Sequence, residues 1–537
     1  MSRTHRGHEA IKVGEAASLG VAAPALLDEE PDTDGTQAVL VVHGMGQGIR
    51  LSTLELLTTA LQCADVRHQE ELGEKHAVPP VPVARTVRIG DTELQRAEFA
   101  IRSMDRHGNP ALTNVHVYEA YWAPVTEGAT NLRGVMAFLW RAGWTGFWRS
   151  ARFHRWMFQH PVQYPKSVGW LIRAAVLFTL AILGSLVALN TVIGVQAAAM
   201  FVPGGNGWPS PAQLRDLNWT ALAATFSILA FLAFALPAHW LRKGRWRPAA
   251  AAIGWIGLVM FYVTGLAVIA AAAASIASLA RGPAGLGLFP QTTPLAHPGL
   301  WLWLLWIPLV VASYFIRRWI VDYIGDVAVY VSPQYLDAFD EKRGEIKKRT
   351  MAAAVALYAA RTKNGARQYE SVAIVGHSLG SVIAYDALNA MLARDEIDGH
   401  PHAVLARTSM FLTFGSPLDK TAFFFGSLGR GKHHLREGFA AATQPLIQDY
   451  ATYRKVPWVN VHSRADIISN QLSFYDVMPP RNDLQSRNRV RNIRDPQALG
   501  PIMAHNEYWG NARVWDGLHV ALRGDDVRAW ADPLASK

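Results

Sequence analysis

Apolar and polar positions divide the chain into two regions of short apolar runs and helical patterns, separated by long apolar stretches. In the first region, Ala38-Val39-Leu40-Val41-Val42 is continuous rather than alternating. Such a run predicts a strand buried on both faces, as in a parallel sheet. A helical pattern, LSTLELLTTALQCADV, follows from about Ser52. VPVARTVRI, AEFAIRSM and NVHVYEAYWAP predict strands, with turns at Gly90-Asp91 and His107-Gly108-Asn109-Pro110. The last of these, ending near Trp122, is expected as a central strand. In the second region, soluble patterning resumes near Asp322. Ser332-Pro333 is a helix start signal, and a charged, then alanine-rich helix is expected from Gln334 to about Arg361. Val372-Ala373-Ile374-Val375 predicts a strand, followed by an apolar helical pattern at Val382, Ile383, Tyr385 and Leu388. Further strands are expected over Ala403–Leu412 and Trp458–His462. Alternating strands and helices predict an α/β fold with a mostly parallel central sheet.

The alternation stops between these regions. Four apolar stretches run near Val168–Phe201, Trp219–Leu241, Ala249–Leu279 and Leu300–Ile316. About 20 apolar residues span a bilayer core, so a four-helix transmembrane insertion is expected. Arg173 is the one charge inside them, which argues against an ion or proton path and against a transporter. Basic residues flank the first span, fill Arg242-Lys243-Gly244-Arg245-Trp246-Arg247 and follow the fourth span at Arg317 and Arg318. The connections 202–218 and 281–299 hold only Arg215 and Arg281. The basic side belongs in the cytoplasm, so a multi-pass protein of the cell inner membrane is expected, with both α/β parts cytoplasmic. The preceding segment, 133–167, carries Trp140, Trp144 and Trp148 four residues apart, with many arginines. That pattern suits a helix lying at the headgroup level. The alternative is a soluble helix with an aromatic core stripe.

Composition agrees with a membrane portion. Of 537 residues, 50% are hydrophobic and 18% charged, against roughly 25% charged in ordinary soluble domains. The net charge of +10 fits membrane-flanking residues rather than a nucleic-acid face. The single cysteine, Cys63, permits no intrachain disulfide and reads as a packed helix residue. Residues 1–36 are polar and read as a mobile tail, not a secretory signal. The expected organisation is a tail (1–36), a first α/β part (37–132), an interfacial segment (133–167), the insert (168–318) and a second α/β part (319–537).

Candidate chemistry centres on Gly376-His377-Ser378-Leu379-Gly380, between a predicted strand and a predicted helix. In G-x-S-x-G a sharp turn presents the serine above the sheet, and the glycines let strand and helix approach. Ser378 is therefore the candidate nucleophile, the alternative being an ordinary helix-capping serine. The run 38–42 ends in His43-Gly44-Met45-Gly46-Gln47-Gly48. This reads as an oxyanion loop, with the Met45 and Leu379 N–H groups as donors. A phosphate loop is disfavoured because no G-x-x-x-x-G-K-[ST] pattern is present. The base and acid should follow the serine in the order acid, then histidine. Asp466, after the strand WVNVH, is the preferred acid and Asp419, in GSPLDK, its rival. His505 is the preferred base, with His519 and His462 as rivals, and His377 is expected to shape the turn rather than carry protons. No metal or organic cofactor is implied.

Taken together, VVHGMGQ, VGHSLGS, TFGSP, NVHSRADIIS and HNEYW resemble the oxyanion, nucleophile, strand-6, acid and histidine segments of the α/β-hydrolase superfamily, in its lipase branch. Gly325–Tyr330 with Ser332-Pro333, then VAIVGHSLGSVIAYDAL, is also similar to intracellular phospholipase A1 enzymes. The resemblance covers about 37–124 and 322–520, and the transmembrane insert departs from it. It implies an α/β-hydrolase fold and a Ser378–Asp466–His505 esterase or lipase acting on acyl esters of lipids, with His43, Gly44, Gly376 and Gly380 in support. Asp326 matches a recurring aspartate of that pattern and is given no catalytic role. An acyl-thioesterase or peptidase on the same residues, or a non-catalytic membrane scaffold, are the other readings. The segment 421–450, loop-rich with exposed aromatics, is a candidate lid.

Overall fold

The computed structural model describes residues 35–46, 49–74, 79–104, 110–128, 132–149, 154–157, 160–163, 210–241, 247–287, 324–331, 337–422, 434–448, 455–466, 468–472, 474–476, 490–498 and 504–525, with scattered helical positions in 177–194 and 307–321. The expected tail 1–36 lies almost wholly outside them.

The centre is β1 (Gln37–Val42), buried at every position. Its odd and even residues serve two different cores. Ala38, Leu40 and Val42 face one, and Val39 and Val41 the other. This is why the run is continuously apolar: alternation appears only where one sheet face meets water. Helix α1 (Ser52–Glu71) covers the second face through Leu54, Leu57 and Leu61.

Strands β2 (Val83–Ile89), β3 (Thr92–Met104) and β4 (Pro110–Ala120) form an antiparallel meander. β4 also pairs with β1 in parallel, in the central position expected for it. Helix α2 (Leu132–Arg149) and a two-stranded hairpin, β5 (His154–Met157) and β6 (His160–Gln163), come next. Sequence reading did not anticipate the hairpin. Pro161 lacks the N–H that a continuing helix would need.

Two of the four expected spans are seen as long helices, α3 (Pro211–Leu241) and α4 (Arg247–Ala280). Each contains a window long and apolar enough to cross a membrane, Pro211–Phe234 and Val259–Ala280. The first and fourth apolar stretches, Val168–Phe201 and Leu300–Ile316, lie largely outside the described residues, as do most of the charged flanks. α3 starts eight residues before the apolar stretch. Pro211 occupies its first turn, Ser210 Oγ accepts from Gln213 N–H at 3.2 Å, and Gln213 Oε1 accepts from Ser210 N–H at 2.8 Å. This reciprocal capping box fixes the start. Hydroxyls join the pair: Thr264 Oγ1 donates to Ser227 O at 2.7 Å, and Thr220 and Ser275 share a 2.8 Å bond. These bonds lie beside an apolar seam of Leu217, Ala221, Ala224, Val268, Ala271 and Ala272.

Short helix α5 (Gly325–Val331) and α6 (Asp337–Ala359) bring the chain back to β7 (Ser371–His377), which pairs in parallel with the other side of β1. Helix α7 (Leu379–Ile397) follows. The expected strand Ala403–Leu412 instead begins as a helical turn, Val404–Arg407, before β8 (Thr408–Phe414). Asp395 imposes that turn by accepting from His402 and Val404 N–H, both at 2.8 Å. The candidate lid contains helix α8 (His434–Ala442) and a further turn, Pro445–Gln448, and its aromatic run 423–425 lies outside the described residues. β9 (Trp458–His462) and a strand not anticipated, β10 (Arg491–Arg494), complete the sheet before α9 (Ala512–Leu522).

The order is β10-β9-β8-β7-β1-β4-β3-β2. β10 through β4 run parallel, and β3 alone opposes its neighbours. This is a mostly parallel α/β sheet, and its parallel strands direct their carboxyl ends to one side, where ligands bind in open α/β sheets.

Candidate active site

Ser378 follows the last residue of β7 directly and precedes α7 directly. Its φ of 53° and ψ of −130° lie in a region a non-glycine residue rarely occupies. A strain of about 1–3 kcal/mol persists only where the surroundings over-determine it. Here Ser378 N–H donates to Phe414 O at 3.0 Å, and Ser378 O accepts from Ser381 N–H at 3.0 Å. The flanking glycines are required by contact. A Cβ on Gly380 would lie 2.2 Å from Val42 O, and one on Gly376 2.5 Å from Ser381 Cα.

His505 Nε2 lies 2.6 Å from Ser378 Oγ, and His505 Nδ1 lies 3.0 Å from Asp466 Oδ2. The three residues stand 127 and 39 positions apart in sequence and are all buried. Asp466 sits in the loop after β9. Its Oδ1 accepts from Ile468 N–H at 2.8 Å and its Oδ2 from Tyr508 O–H at 2.9 Å. Burial opposes its ionisation, but the bonds from His505, Ile468 and Tyr508 outweigh that and hold the carboxyl well below the usual range. With Asp466 ionised, Nδ1 carries the imidazole proton and Nε2 is left to accept from the serine.

His505 lies in a one-turn helix, Ala504–Glu507, rather than the expected loop. His377 fixes that turn by donating from Nε2 to His505 O at 3.0 Å, and its ring stacks on His505 and Phe414. Burial, helped by the neighbouring His505, lowers the His377 pKa to about 3, so it stays neutral and positions His505. Gly415, with φ of +60°, brings backbone against the ring: a Cβ there would meet His505 Cε1 at 3.2 Å.

The rivals lie elsewhere. Asp419 Oδ2 accepts from Phe474 N–H at 3.4 Å. His519 Nε2 bonds Asp65 at 3.0 Å, between α9 and α1. His462 is buried in β9, where burial and then Arg494 and Arg464 lower its pKa to about 4.

The loop after β1 stands beside the serine, with Gly44 against Ser378 and His377. His43 anchors its start. Its Nδ1 donates to Gly44 O at 2.9 Å, its Nε2 accepts from Trp122 N–H at 3.0 Å, and its ring stacks on Trp122 at 4.6 Å. Burial lowers its pKa to about 4, which keeps the accepting nitrogen unprotonated. Met45 is partly buried against the core, and Leu379 is the first residue of α7, where N–H groups have no partner within the helix. Gln47 and Gly48 lie outside the described residues.

Two contributors escape the sequence reading. Tyr508 donates its hydroxyl hydrogen to Asp466, and Glu119 accepts from Leu51 N–H at 3.0 Å at the far end of the loop after β1. Asp326, singled out by resemblance and given no catalytic role, accepts from Gly46 N–H at 2.8 Å across 280 residues. Serine, imidazole and carboxylate in this order can activate a hydroxyl for attack on an acyl carbon. Comparison with protein-family models, curated proteins and solved structures returns no match to this chain.

Proposed function

We propose that this chain is a membrane-inserted serine hydrolase of the α/β-hydrolase fold, cleaving acyl esters of lipids at the cytoplasmic face. The observation that carries the reading is the continuous Ser378–His505–Asp466 hydrogen-bond chain behind a strained serine at the carboxyl end of the sheet. Ser378 Oγ attacks the acyl carbonyl while His505 Nε2 takes its proton. Asp466 holds the imidazole tautomer and stabilises the cation that forms. The Met45 and Leu379 N–H groups receive the oxyanion. His505 then gives its proton to the leaving alcohol, and water, activated by the same imidazole, releases the acid and Ser378.

Support for a lipid substrate is positional. The insert separates β4 from β7, the two strands flanking β1, which supports a site close to the bilayer. Only 33% of each apolar window is buried, unlike a soluble core helix. Phe226, Leu229, Val259 and Leu266 turn outward. On α2, Trp140 and Trp144 are exposed, which fits headgroup contact and not a core stripe. The basic connection 242–247 and the basic flanks support a cytoplasmic catalytic domain, because basic loops stay on that side.

Fluorophosphonate labelling of the purified full-length protein tests the reading, paired with turnover of lipid esters, acyl thioesters and peptides. Labelling of wild type that disappears in Ser378→Ala, with oxyesters turned over fastest, is expected. Equal labelling of both proteins, or none, refutes serine catalysis; faster thioester or peptide turnover refutes the ester assignment alone.

A further inference from the structure

Helix α5 stands where the chain returns from the insert, and it is bonded to the two elements that carry the proposed oxyanion donors, the loop after β1 and helix α7. At its start, Asp326 Oδ2 accepts from Gly46 N–H at 2.8 Å, one residue beyond Met45. Near its end, Tyr330 O–H donates to Asp386 Oδ2 at 2.8 Å. Asp386 belongs to α7, whose first residue is Leu379. Lys347 Nζ, 2.9 Å from the same carboxylate, braces it from α6. One short helix is thus bonded to the Met45 loop at one end and to the Leu379 helix at the other. α5 is itself pinned: Gly325, Asp326, Ala328, Val329, Tyr330 and Val331 are all buried. Its flank meets α2, the last helix before the β5–β6 hairpin and the insert. Ile324 packs with Val135, Met136 and Leu139, and Phe138 packs on the Ala328–Val329–Phe339 cluster. The segments before and after the insert therefore meet at the helix that links the loop after β1 to α7.

We infer that α5 is a strut setting the separation of the two oxyanion donors, and that Asp326 is the positioning residue fixing the Met45 loop to it. The inference rests on the serine hydrolase reading and adds what registers its oxyanion hole. The carboxylate touches no reacting atom and acts through the Gly46 N–H. The loop needs such a tie because its glycines leave the backbone free to turn, whereas transition-state stabilisation requires donors already in place. A displacement of about 1 Å from productive geometry costs on the order of a hundredfold in rate. The Asp326 tie should therefore matter to kcat and little to substrate binding.

The test compares wild type, Asp326→Ala, Asp326→Asn and Tyr330→Phe as full-length protein in one detergent or nanodisc preparation. Active-site concentration is set by phosphonate titration, so misfolded protein is not counted. Asp326→Ala is expected to lose roughly 10- to 100-fold in kcat with KM within about twofold. An alkyl trifluoromethyl ketone, which places an oxyanion in the hole, should bind it more weakly by the factor lost in kcat/KM. Asp326→Asn keeps an acceptor oxygen and should stay within about threefold of wild type. Tyr330→Phe should lose about threefold or more in kcat at unchanged KM, and carries the test if Asp326→Ala does not fold. Wild-type kcat in both Asp326→Ala and Tyr330→Phe overturns the strut, as does an unchanged ketone affinity. An unlabelled, inactive wild type would instead overturn the hydrolase reading itself.

Discussion

Tyr508→Phe removes one oxygen from the middle of the candidate site. That oxygen donates to Asp466 Oδ2 at 2.9 Å, accepts from Ser463 N–H at 2.9 Å and bonds Ser469 Oγ at 2.8 Å. A hydrogen bond to a charged group contributes about 1.5–3 kcal/mol, and a buried N–H left without an acceptor costs about 1–3 kcal/mol. Ser469 Oγ, 3.4 Å from Ser463 N, can take over part of that N–H, which lowers the sum. The expected net loss of stability is about 2–4 kcal/mol, read as a fall in Tm of roughly 5–10 °C. Catalysis should fall about tenfold, or ~1.4 kcal/mol in the barrier, because Asp466 holds the imidazole less firmly. The pH dependence has a definite sign. Asp466 is depressed below its ordinary value of 3.8, so its stabilisation is present above about pH 4 and is lost on acidification. Part of that depression comes from Tyr508, so the Tm difference between variant and wild type should be full at pH 7 and shrink below pH 4. Thermal denaturation across pH and ester turnover, both in the same detergent, measure this. A variant with wild-type Tm and wild-type kcat would refute the role of Tyr508 and weaken the assignment of Asp466 as the orienting acid.

Three further substitutions test packing and electrostatics. Gly380→Ala would press a methyl to 2.2 Å from Val42 O and 2.3 Å from His43 O, both backbone, and should cost more than about 3 kcal/mol or prevent folding. Gly344→Ala in α6 has nothing within 4 Å and should be neutral or stabilising by about 0.5–1 kcal/mol; comparable expression and Tm for the two would contradict the elbow geometry. Asp495, 1% exposed, has its pKa pushed up by burial from 3.8 to about 6. A carboxyl raised on folding makes the protein lose stability as pH rises from about 4 to 6. Asp495→Asn should remove that slope and raise stability by about 1–3 kcal/mol at pH 7.5, with no gain at pH 4; an equal Tm change at both pH values would exclude the linkage.

Local pattern determined much here. β1 and β7 were legible because strands buried on both faces carry an unbroken apolar run, Ala38–Val42 and Val372–Val375. The elbow was legible because a strained turn between strand and helix demands glycines at fixed offsets. Long apolar windows are self-announcing, since their composition is set by what surrounds them and not by partners. β10 was not legible: Arg491-Asn492-Ile493-Arg494 is an edge strand that buries one side chain well, and charged edges look like loops. The helical turn before β8 was hidden because Asp395, nine residues upstream of Val404, dictates it. Chain order and strand ends were enough to propose Asp466 and His505 against their rivals. Only the tertiary structure decided which carboxylate meets which imidazole, because the distances involved are set by sheet order. The same holds for Tyr508, Glu119 and Asp326, whose partners lie 42, 68 and 280 residues away. A carboxylate that receives a distant backbone N–H carries no local sign of that partner; folding alone makes the loop after β1 and helix α5 neighbours.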